Sequence, residues 1–349
     1  MRAVEFSGAR RFAIVDRPDP EPGLGDLLIA PESVGICATD LELFDGTMAY
    51  YRTGQATYPI VPGHEWSGEI VGIGAEVSGF AVGNHVVGEV SIGCGRCDLC
   101  RTGNYHLCVT GEETGIMRRG GALASLLLHP AASTFTVPHQ LSWDAAALIE
   151  PASVALHAAR RGDCRNKTVL VIGMGTIGQL ALQCARAEGA TRTVAANPSA
   201  QRLALATTLG ADATVGLPAS LSNARAAITA AAGPAPIDVV LVCTGASSAV
   251  ALAIEAVRPG GVIVLAGLSG AAAMPIDHDL VVLKDIDLRG VNGSPSLWPD
   301  TVALVATGAV RTEPLVTHHL PLTEIARALE LVRARGPETL KVIVQPQGR

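Results

Sequence analysis

The sequence predicts an α/β protein with two domains, one built on a doubly wound parallel sheet and the other a mostly β, barrel-like unit. Three observations support this fold class. The chain has 349 residues, more than one small hydrophobic core usually organises. Its first 150 or so residues are rich in glycine, proline and short β-branched runs. From about residue 165 onward, apolar strands alternate with glycine turns and helices rich in alanine and leucine, which is typical of βαβ units.

The first part of the chain predicts short strands separated by frequent turns. Apolar runs such as Leu27-Leu28-Ile29 and His85-Val86-Val87 stand between glycine- and proline-rich stretches, the pattern of an antiparallel unit. The chain closes with Leu340–Val344, a strand that we expect to rejoin this first domain. The predicted boundaries are 1–153 for the barrel-like domain, 154–288 for the parallel-sheet domain and 289–349 for the return.

The second part predicts a parallel sheet covered by helices on both faces. Helical patterns follow the first three of its strand candidates, and right-handed crossovers of this kind join parallel strands. The four candidates are Thr168–Ile172, Arg192–Ala196, Asp238–Val242 and Val262–Ala266.

Composition and charge exclude several classes of function. With 48% hydrophobic and 17% charged residues, the chain is not intrinsically disordered. A net charge of −6 gives no basic field for nucleic acid or anionic lipid. The apolar run Val239–Val257 is interrupted by polar residues and glycine, so it predicts a buried strand, a turn and a helix rather than a membrane span. Charges near Met1 leave no room for a signal peptide, and we expect a soluble, cytoplasmic protein.

A glycine turn follows the first strand of the parallel sheet. It reads Gly173-Met174-Gly175-Thr176-Ile177-Gly178 and opens an apolar-periodic helix, which is the context of a dinucleotide site. The glycines let backbone amides and the helix N-terminus approach a pyrophosphate. The turn therefore predicts NAD(P) binding, with a purely structural turn as the alternative.

The end of the next strand bears on the choice between NAD and NADP. A carboxylate there would bind the ribose hydroxyls and repel a 2′-phosphate, but this chain has Asn197. An asparagine does not repel phosphate, and Arg202 could reach one, so the sequence leans towards tolerance of NADP. Alternatively, Ser199 caps the next helix and Arg202 is a solvated helix charge.

The eight cysteines are informative through their positions. Four of them fall within 15 residues in a polar loop, and a cytosolic cluster of this kind favours metal over disulfides. Four thiolates fill all positions around a tetrahedral Zn²⁺ and leave none for substrate. The loop 93–109 therefore predicts a structural zinc held by Cys94, Cys97, Cys100 and Cys108.

A scattered set of motifs completes the sequence evidence. Cys37 lies in Gly35-Ile36-Cys37-Ala38-Thr39-Asp40, His64 in Pro62-Gly63-His64-Glu65, and Glu150 directly precedes Pro151. By spacing alone, these residues do not define a site, and a satisfied buried histidine is the better explanation for His64. Together with the four-cysteine loop and the glycine turn, however, the motifs occur in the order found in one family.

Over essentially its full length, the chain resembles the zinc-containing medium-chain dehydrogenases/reductases, in the alcohol and polyol branch with sorbitol, glucose, threonine and amino-cyclitol dehydrogenases. The resemblance implies a Rossmann domain and a GroES-like catalytic domain. It also implies that Cys37 and His64 bind a catalytic zinc. The remaining protein ligand is implied to be Glu65 or Glu150, and the sequence leaves that choice open.

The same resemblance assigns roles to two further residues and to the whole chain. Thr39 would relay the alcohol proton, and Asp40 would orient the ring of His64. The implied activity is hydride transfer between NAD(P) and a secondary alcohol or ketone, with a polyol, sugar, cyclitol or amino-cyclitol as the expected substrate. Two zinc ions per chain, a homodimer or homotetramer, and no nucleic-acid or membrane partner are expected. A mainly reductive enzyme and a non-catalytic nucleotide-binding protein are the alternatives.

Overall fold

The computed structural model describes residues 1–218, 220–268 and 273–348. The chain forms two compact units. One consists of Met1–Glu150, Pro295–Thr307 and Thr312–Arg349. The other consists of Pro151–Ser294 and Gly308–Arg311. The chain thus leaves the first unit, builds most of the second and then returns.

The strands are numbered in chain order. They are β1 (Arg2–Gly8), β2 (Arg11–Asp16), β3 (Asp26–Ile36), β4 (Glu65–Ile73), β5 (His85–Gly88), β6 (Ser91–Ile92), β7 (Glu112–Thr114), β8 (Arg118–Arg119), β9 (Leu127–Pro130), β10 (Thr134–Thr136), β11 (Thr168–Ile172), β12 (Arg192–Asn197), β13 (Ala213–Gly216), β14 (Val239–Val242), β15 (Val262–Leu265), β16 (Asp287–Gly290), β17 (Val316–Pro321) and β18 (Lys341–Gln345).

The α-helices are numbered in the same way. They are α1 (Ala38–Asp45), α2 (Ala49–Arg52), α3 (Asp98–Arg101), α4 (Trp143–Ala147), α5 (Ile149–Gly162), α6 (Thr176–Ala187), α7 (Ala200–Thr208), α8 (Leu221–Ala232), α9 (Ser247–Ala256), α10 (His278–Leu283), α11 (Trp298–Ala306) and α12 (Ile325–Ala334).

The first unit is mostly β, as the sequence predicts. Its main sheet has the order β10-β5-β4-β3-β18-β17, with β9 also paired to β3. Large apolar side chains, among them Phe6, Leu27, Trp66 and Leu123, are almost completely buried and form its core. The predicted antiparallel pattern has two exceptions, β7–β8 and β17–β18, which run parallel. Helix α12 joins β17 to β18, and such a crossover is what allows two successive strands to run parallel.

The last strand lies in the middle of that sheet. Val342–Val344 pair with the final residues of β3 in antiparallel register, so the end of the chain lies in the same sheet as β3. All three of these valine and isoleucine side chains are fully buried. This pairing also places Lys341, the first residue of β18, next to the end of β3.

The second unit is a parallel sheet of order β13-β12-β11-β14-β15-β16. The four strand candidates of the sequence correspond to β11, β12, β14 and β15, with ends that differ by at most one residue. Their side chains are almost entirely buried, because helices such as α6 and α9 contact the sheet. The order reverses between β11 and β14, and ligands of doubly wound sheets bind at such a switch point.

A search of the described helices finds none that is both long and apolar enough to cross a membrane.

Candidate active site

Cys37 lies at the junction between a strand and a helix. Strand β3 ends at Ile36, and Cys37 is the N-cap residue of α1 with an extended backbone. Asp40, in the first turn of this helix, is completely buried. Its carboxylate accepts the backbone N–H of Cys37 at 2.8 Å and that of Gly63 at 3.3 Å. One side chain therefore connects the segment that carries Cys37 to the segment that carries His64.

Gly63 is required by the close packing of this second segment. Its φ of +98° is in the left-handed region, which side chains with a Cβ rarely adopt. A Cβ at Gly63 would lie 2.8 Å from the backbone nitrogen of Leu123. His64 and Glu65 follow directly, and both are buried.

Three potential metal ligands converge at this point. The Sγ atom of Cys37, a ring nitrogen of His64 and a carboxylate oxygen of Glu65 all lie within 4.8 Å of one another. Nδ1 of His64 lies 3.5 Å from Oδ1 of Asp40 but makes no well-aligned hydrogen bond within the described residues. One thiol, one imidazole and one carboxylate are ligand types that zinc uses in catalytic sites, so these residues fit that ion.

The electrostatics of the cluster favour a positive charge. Burial alone would lower the pKa of His64, but the carboxylate of Asp40 and the thiol of Cys37 outweigh it and raise the pKa well above its usual value. The positive charge of a protonated ring would take the role that the charge of a bound metal ion has in this cluster. The same arrangement therefore stabilises a bound cation when the ring is neutral and acts as a ligand.

Glu65 also forms a buried ion pair that the sequence did not predict. Nζ of Lys341 donates to Oε1 of Glu65 at 2.8 Å and to Oε2 at 2.5 Å. Burial works to lower the pKa of Lys341, but the charges of Glu65 and Cys37 raise it above its usual value. The only signal in the sequence was a lysine at the start of an otherwise apolar strand.

Glu150 lies apart from this three-residue cluster. It is a half-buried residue in the first turn of α5, and it is not one of the three ligands within 4.8 Å of one another. Burial raises the pKa of Glu150 to about 7; the charge of Glu65 adds to this rise, while that of His64 opposes it. Glu150 is thus electrostatically coupled to the cluster.

Thr39 is in the first turn of α1, beside Cys37. Its Oγ1 lies 3.7 Å from the Sγ atom of Cys37. The Thr39 hydroxyl therefore contacts the thiol of Cys37, one of the three potential ligands.

The four-cysteine loop has the geometry of a second metal site. Sγ of Cys94 lies 3.9 Å from that of Cys100, and Sγ of Cys97 lies 3.8 Å from that of Cys108. Four sulfurs around a zinc ion, with Zn–S bonds of about 2.3 Å, are about 3.8 Å apart, whereas a disulfide is about 2.05 Å long. The backbone N–H groups of Arg96 and Cys97 lower the pKa of Cys94 to about 5, which favours the thiolate at that position, whereas burial and the neighbouring cysteines raise the pKa of Cys100 to about 12.

The glycine turn after β11 has the shape of a phosphate cradle. Gly173 has φ +93°, and a Cβ on Gly178 would lie only 1.8 Å from the carbonyl oxygen of Gly173. Gly175 is the N-cap residue of α6, and nothing lies within 4 Å of where its Cβ would be. Thr176 and Ile177 are the first residues of the helix, so their amides lie at its N-terminus. This open space beside a helix N-terminus suits a pyrophosphate.

Asn197 is buried at the end of β12 and supports the same turn. Its Oδ1 accepts the backbone N–H of Met174 at 3.0 Å. Ser199 caps α7 by accepting the N–H of Arg202 at 3.4 Å, which was the structural alternative for this residue. The side-chain oxygen of Asn197 is therefore already engaged by the chain.

Comparisons with known proteins agree with this picture. Residues 23–139 match the alcohol dehydrogenase GroES-like domain, and residues 176–307 match the zinc-binding dehydrogenase domain. The chain is 33% identical to the erythritol/L-threitol dehydrogenase of Mycolicibacterium smegmatis over 360 residues, with 99% of this chain and 98% of the relative covered.

Two further proteins extend the comparison. The L-threonine 3-dehydrogenase of Shewanella pealeana is 33% identical over 325 residues, covering 92% of this chain and 93% of the relative. A solved structure, described as a zinc-binding dehydrogenase from Sinorhizobium meliloti bound to NADP, aligns with a TM-score of 0.89. It is 30% identical to this chain, and 99% of each chain is covered.

Proposed function

The chain belongs to the zinc-dependent medium-chain dehydrogenase/reductase family and is an alcohol or polyol oxidoreductase, and we propose that Cys37, His64 and Glu65 bind its catalytic zinc. The convergence of these three donors around one point carries the proposal. All three belong to the first unit. The carboxylate of Asp40 lies behind His64, the position of a group that orients a metal-binding imidazole.

The reaction converts a secondary alcohol and NAD(P)⁺ into a ketone, NAD(P)H and a proton, or runs in reverse. When bound, zinc supplies Lewis acidity at the substrate oxygen, and NAD(P) carries the hydride. Nδ1 of His64 faces Asp40, so Nε2 is the nitrogen available to the metal. The hydroxyl of Thr39 relays the proton that leaves the alcohol oxygen, taking it up while passing its own hydroxyl proton on, so that the proton is released as the reaction requires. Asp40 fixes both the backbone of Cys37 and the ring of His64.

Of the two glutamates, Glu65 is the one that its position favours as the third ligand. Its carboxylate lies within the cluster, and the ammonium group of Lys341 compensates its charge. Each carboxylate oxygen has two acceptor positions, so Glu65 can bind a metal while it accepts from Lys341. Glu150 is the alternative ligand, which would exchange with Glu65 or share the position through water; burial raises its pKa to about 7.

We propose that the second zinc and the coenzyme bind at the other two predicted sites. Four thiolates in the loop 93–109 leave no open ligand position, so that zinc stabilises the loop. The strand after the glycine turn ends in Asn197 rather than a carboxylate, and the S. meliloti relative is bound to NADP; both support use of NADP as well as NAD. By family resemblance, we further propose a homodimer or homotetramer in the cytoplasm.

The test compares Cys37→Ser with Cys164→Ser. Cys164 is buried in the second unit and belongs to neither of the two groups of potential metal ligands. It therefore controls for the chemistry of the cysteine-to-serine substitution. We expect Cys37→Ser to lose turnover by at least about 100-fold, because one zinc ligand is changed, while fluorescence titration still detects dinucleotide binding. Turnover is followed as NAD(P)H absorbance with polyols, cyclitols, amino-cyclitols and simple alcohols. Full activity in Cys37→Ser would contradict the zinc assignment.

A further inference from the structure

Glu113 is a buried carboxyl group that the reaction described above does not use. It lies in β7, opposite Ser91 of β6, and is only 7% exposed. Within the described residues, its one side-chain hydrogen bond comes from the hydroxyl of Tyr50, which donates to Oε1 at 3.2 Å. No cation in that part of the chain lies within ion-pair distance of it. Its neighbour Glu112 is different, since it pairs with Arg119 at 2.7 Å.

The local packing places Glu113 near the zinc ligands. Gly115, two residues further along, lies against the segment that carries His64, because a Cβ on Gly115 would be 2.6 Å from the carbonyl oxygen of Gly63. The charge of His64 acts on Glu113: burial raises the pKa of this carboxyl group, and His64 opposes the rise. The segment that carries Glu113 and the segment that carries His64 are therefore neighbours within the first unit.

Burying a carboxyl group with so few hydrogen-bond partners costs folding free energy, which makes a functional reason for its presence worth testing. Removing it from water is unfavourable, and the Tyr50 hydroxyl replaces only one of its lost hydrogen bonds. A donor on a bound ligand would complete its hydrogen bonding. Sites built to hydrogen-bond a substrate O–H or N–H reject analogues that lack the group, since the buried acceptor is then left unpaired.

We propose that Glu113, held in place by Tyr50, is a specificity-determining residue that accepts a hydrogen bond from a second O–H or N–H donor of the substrate. This inference rests on the proposed function. It defines the substrate class as alcohols that carry a further hydroxyl or amino group near the reacting carbon. Simple alcohols of the same size lack the donor and leave Glu113 unpaired.

The test uses three compounds that differ in one group: butane-2,3-diol, 3-aminobutan-2-ol and butan-2-ol. The measurement is kcat/KM for each, in the zinc-loaded wild type and in Glu113→Gln, Glu113→Leu and Tyr50→Phe. We expect the wild type to prefer at least one donor-bearing alcohol to butan-2-ol by about tenfold or more. Glu113→Leu should remove most of that preference, and Tyr50→Phe should weaken it.

The conservative variant distinguishes the two donors. The amide oxygen of Glu113→Gln still accepts a hydrogen bond from a hydroxyl, so the preference for a diol should be partly retained. An ammonium group would lose its ionic partner, so a preference for the amino alcohol should fall as far as in Glu113→Leu. Glu112→Gln, on the same strand, is the matched control and should leave the ratios at their wild-type values. Because Glu113→Gln changes the volume little, it serves even where Glu113→Leu fails to fold.

The outcomes separate this inference from the proposed function. If the Glu113 variants lower kcat/KM equally for all three compounds, the residue is structural and the inference is wrong. Unchanged ratios would overturn it as well. In both cases the zinc-dependent turnover itself still supports the proposed function. If the zinc-loaded wild type oxidises none of these compounds and none of the wider alcohol panel, the proposed function fails and the assignment of Glu113 fails with it.

Discussion

Replacing Asp40 by asparagine tests how the chain orients its zinc ligands. The Asp40 carboxylate is completely buried and faces three groups: the N–H of Cys37 at 2.8 Å, the N–H of Gly63 at 3.3 Å and Nδ1 of His64 at 3.5 Å. An asparagine has nearly the same shape but only one acceptor oxygen. Its NH₂ group must therefore face at least one of these donors, and the negative charge behind His64 is lost.

The size of the effect follows from this geometry. Changing a group that orients a metal-binding histidine costs about 10- to 100-fold in metal affinity, which corresponds to about 1.4–2.7 kcal/mol. The loss should affect only the catalytic zinc, because Asp40 contacts none of the four loop cysteines. Asp40→Asn should therefore lose one zinc per chain before the other.

Zinc content measured after dialysis against chelators of graded strength checks this prediction. At a chelator strength that leaves two zinc ions per chain in the wild type, Asp40→Asn should retain only one. Asp45→Asn is the matched control: Asp45 ends the same helix but pairs with Arg10 and Arg333. An Asp40→Asn protein that retains both ions as firmly as the Asp45→Asn control would refute the reasoning.

Two further predictions concern the glycine turn and a buried histidine. Gly178→Ala should lower the thermal unfolding temperature, because its Cβ would lie 1.8 Å from the Gly173 carbonyl oxygen. Gly175→Ala should fold normally but bind NAD(P) more weakly in fluorescence titration, because its Cβ enters the open cradle. Burial lowers the pKa of His129 to about 3. Near pH 6.5 the unfolded chain therefore binds a proton at this ring, whereas the folded chain does not. As a result, the free energy of unfolding falls as the pH drops below 6.5. In urea unfolding, His129→Gln should reduce that dependence by up to about 1.4 kcal/mol per pH unit; equal slopes in both proteins would contradict the assignment.

Local signals in the sequence predicted a large part of the fold. The strands of the parallel sheet were recognised because each is a short apolar run bounded by turns, and their observed ends differ from the predicted ones by at most one residue. The four-cysteine loop is equally local, since all its ligands fall within 15 residues. The parallel pairing of β17 and β18 was not predicted, because strand direction depends on the path of the intervening helix α12.

The catalytic cluster shows where local signals end. Cys37 and His64 are 27 positions apart, and spacing alone did not distinguish a metal ligand from a satisfied buried histidine. Only the resemblance to a family joined them. The choice between Glu65 and Glu150 stayed open in the sequence, and the geometry that favours Glu65 depends on its position within 4.8 Å of both other ligands.

The sequence by itself determined the two-domain class, the glycine turn and the cysteine loop, because the signals for each are patterns of residues close together in the chain. The tertiary structure alone decided which distant side chains meet. Lys341 reaches Glu65 across 276 positions because β18 pairs with β3, and Tyr50 reaches Glu113 across 63 positions. Such contacts depend on long-range strand pairing and loop packing, which no local pattern of residues specifies.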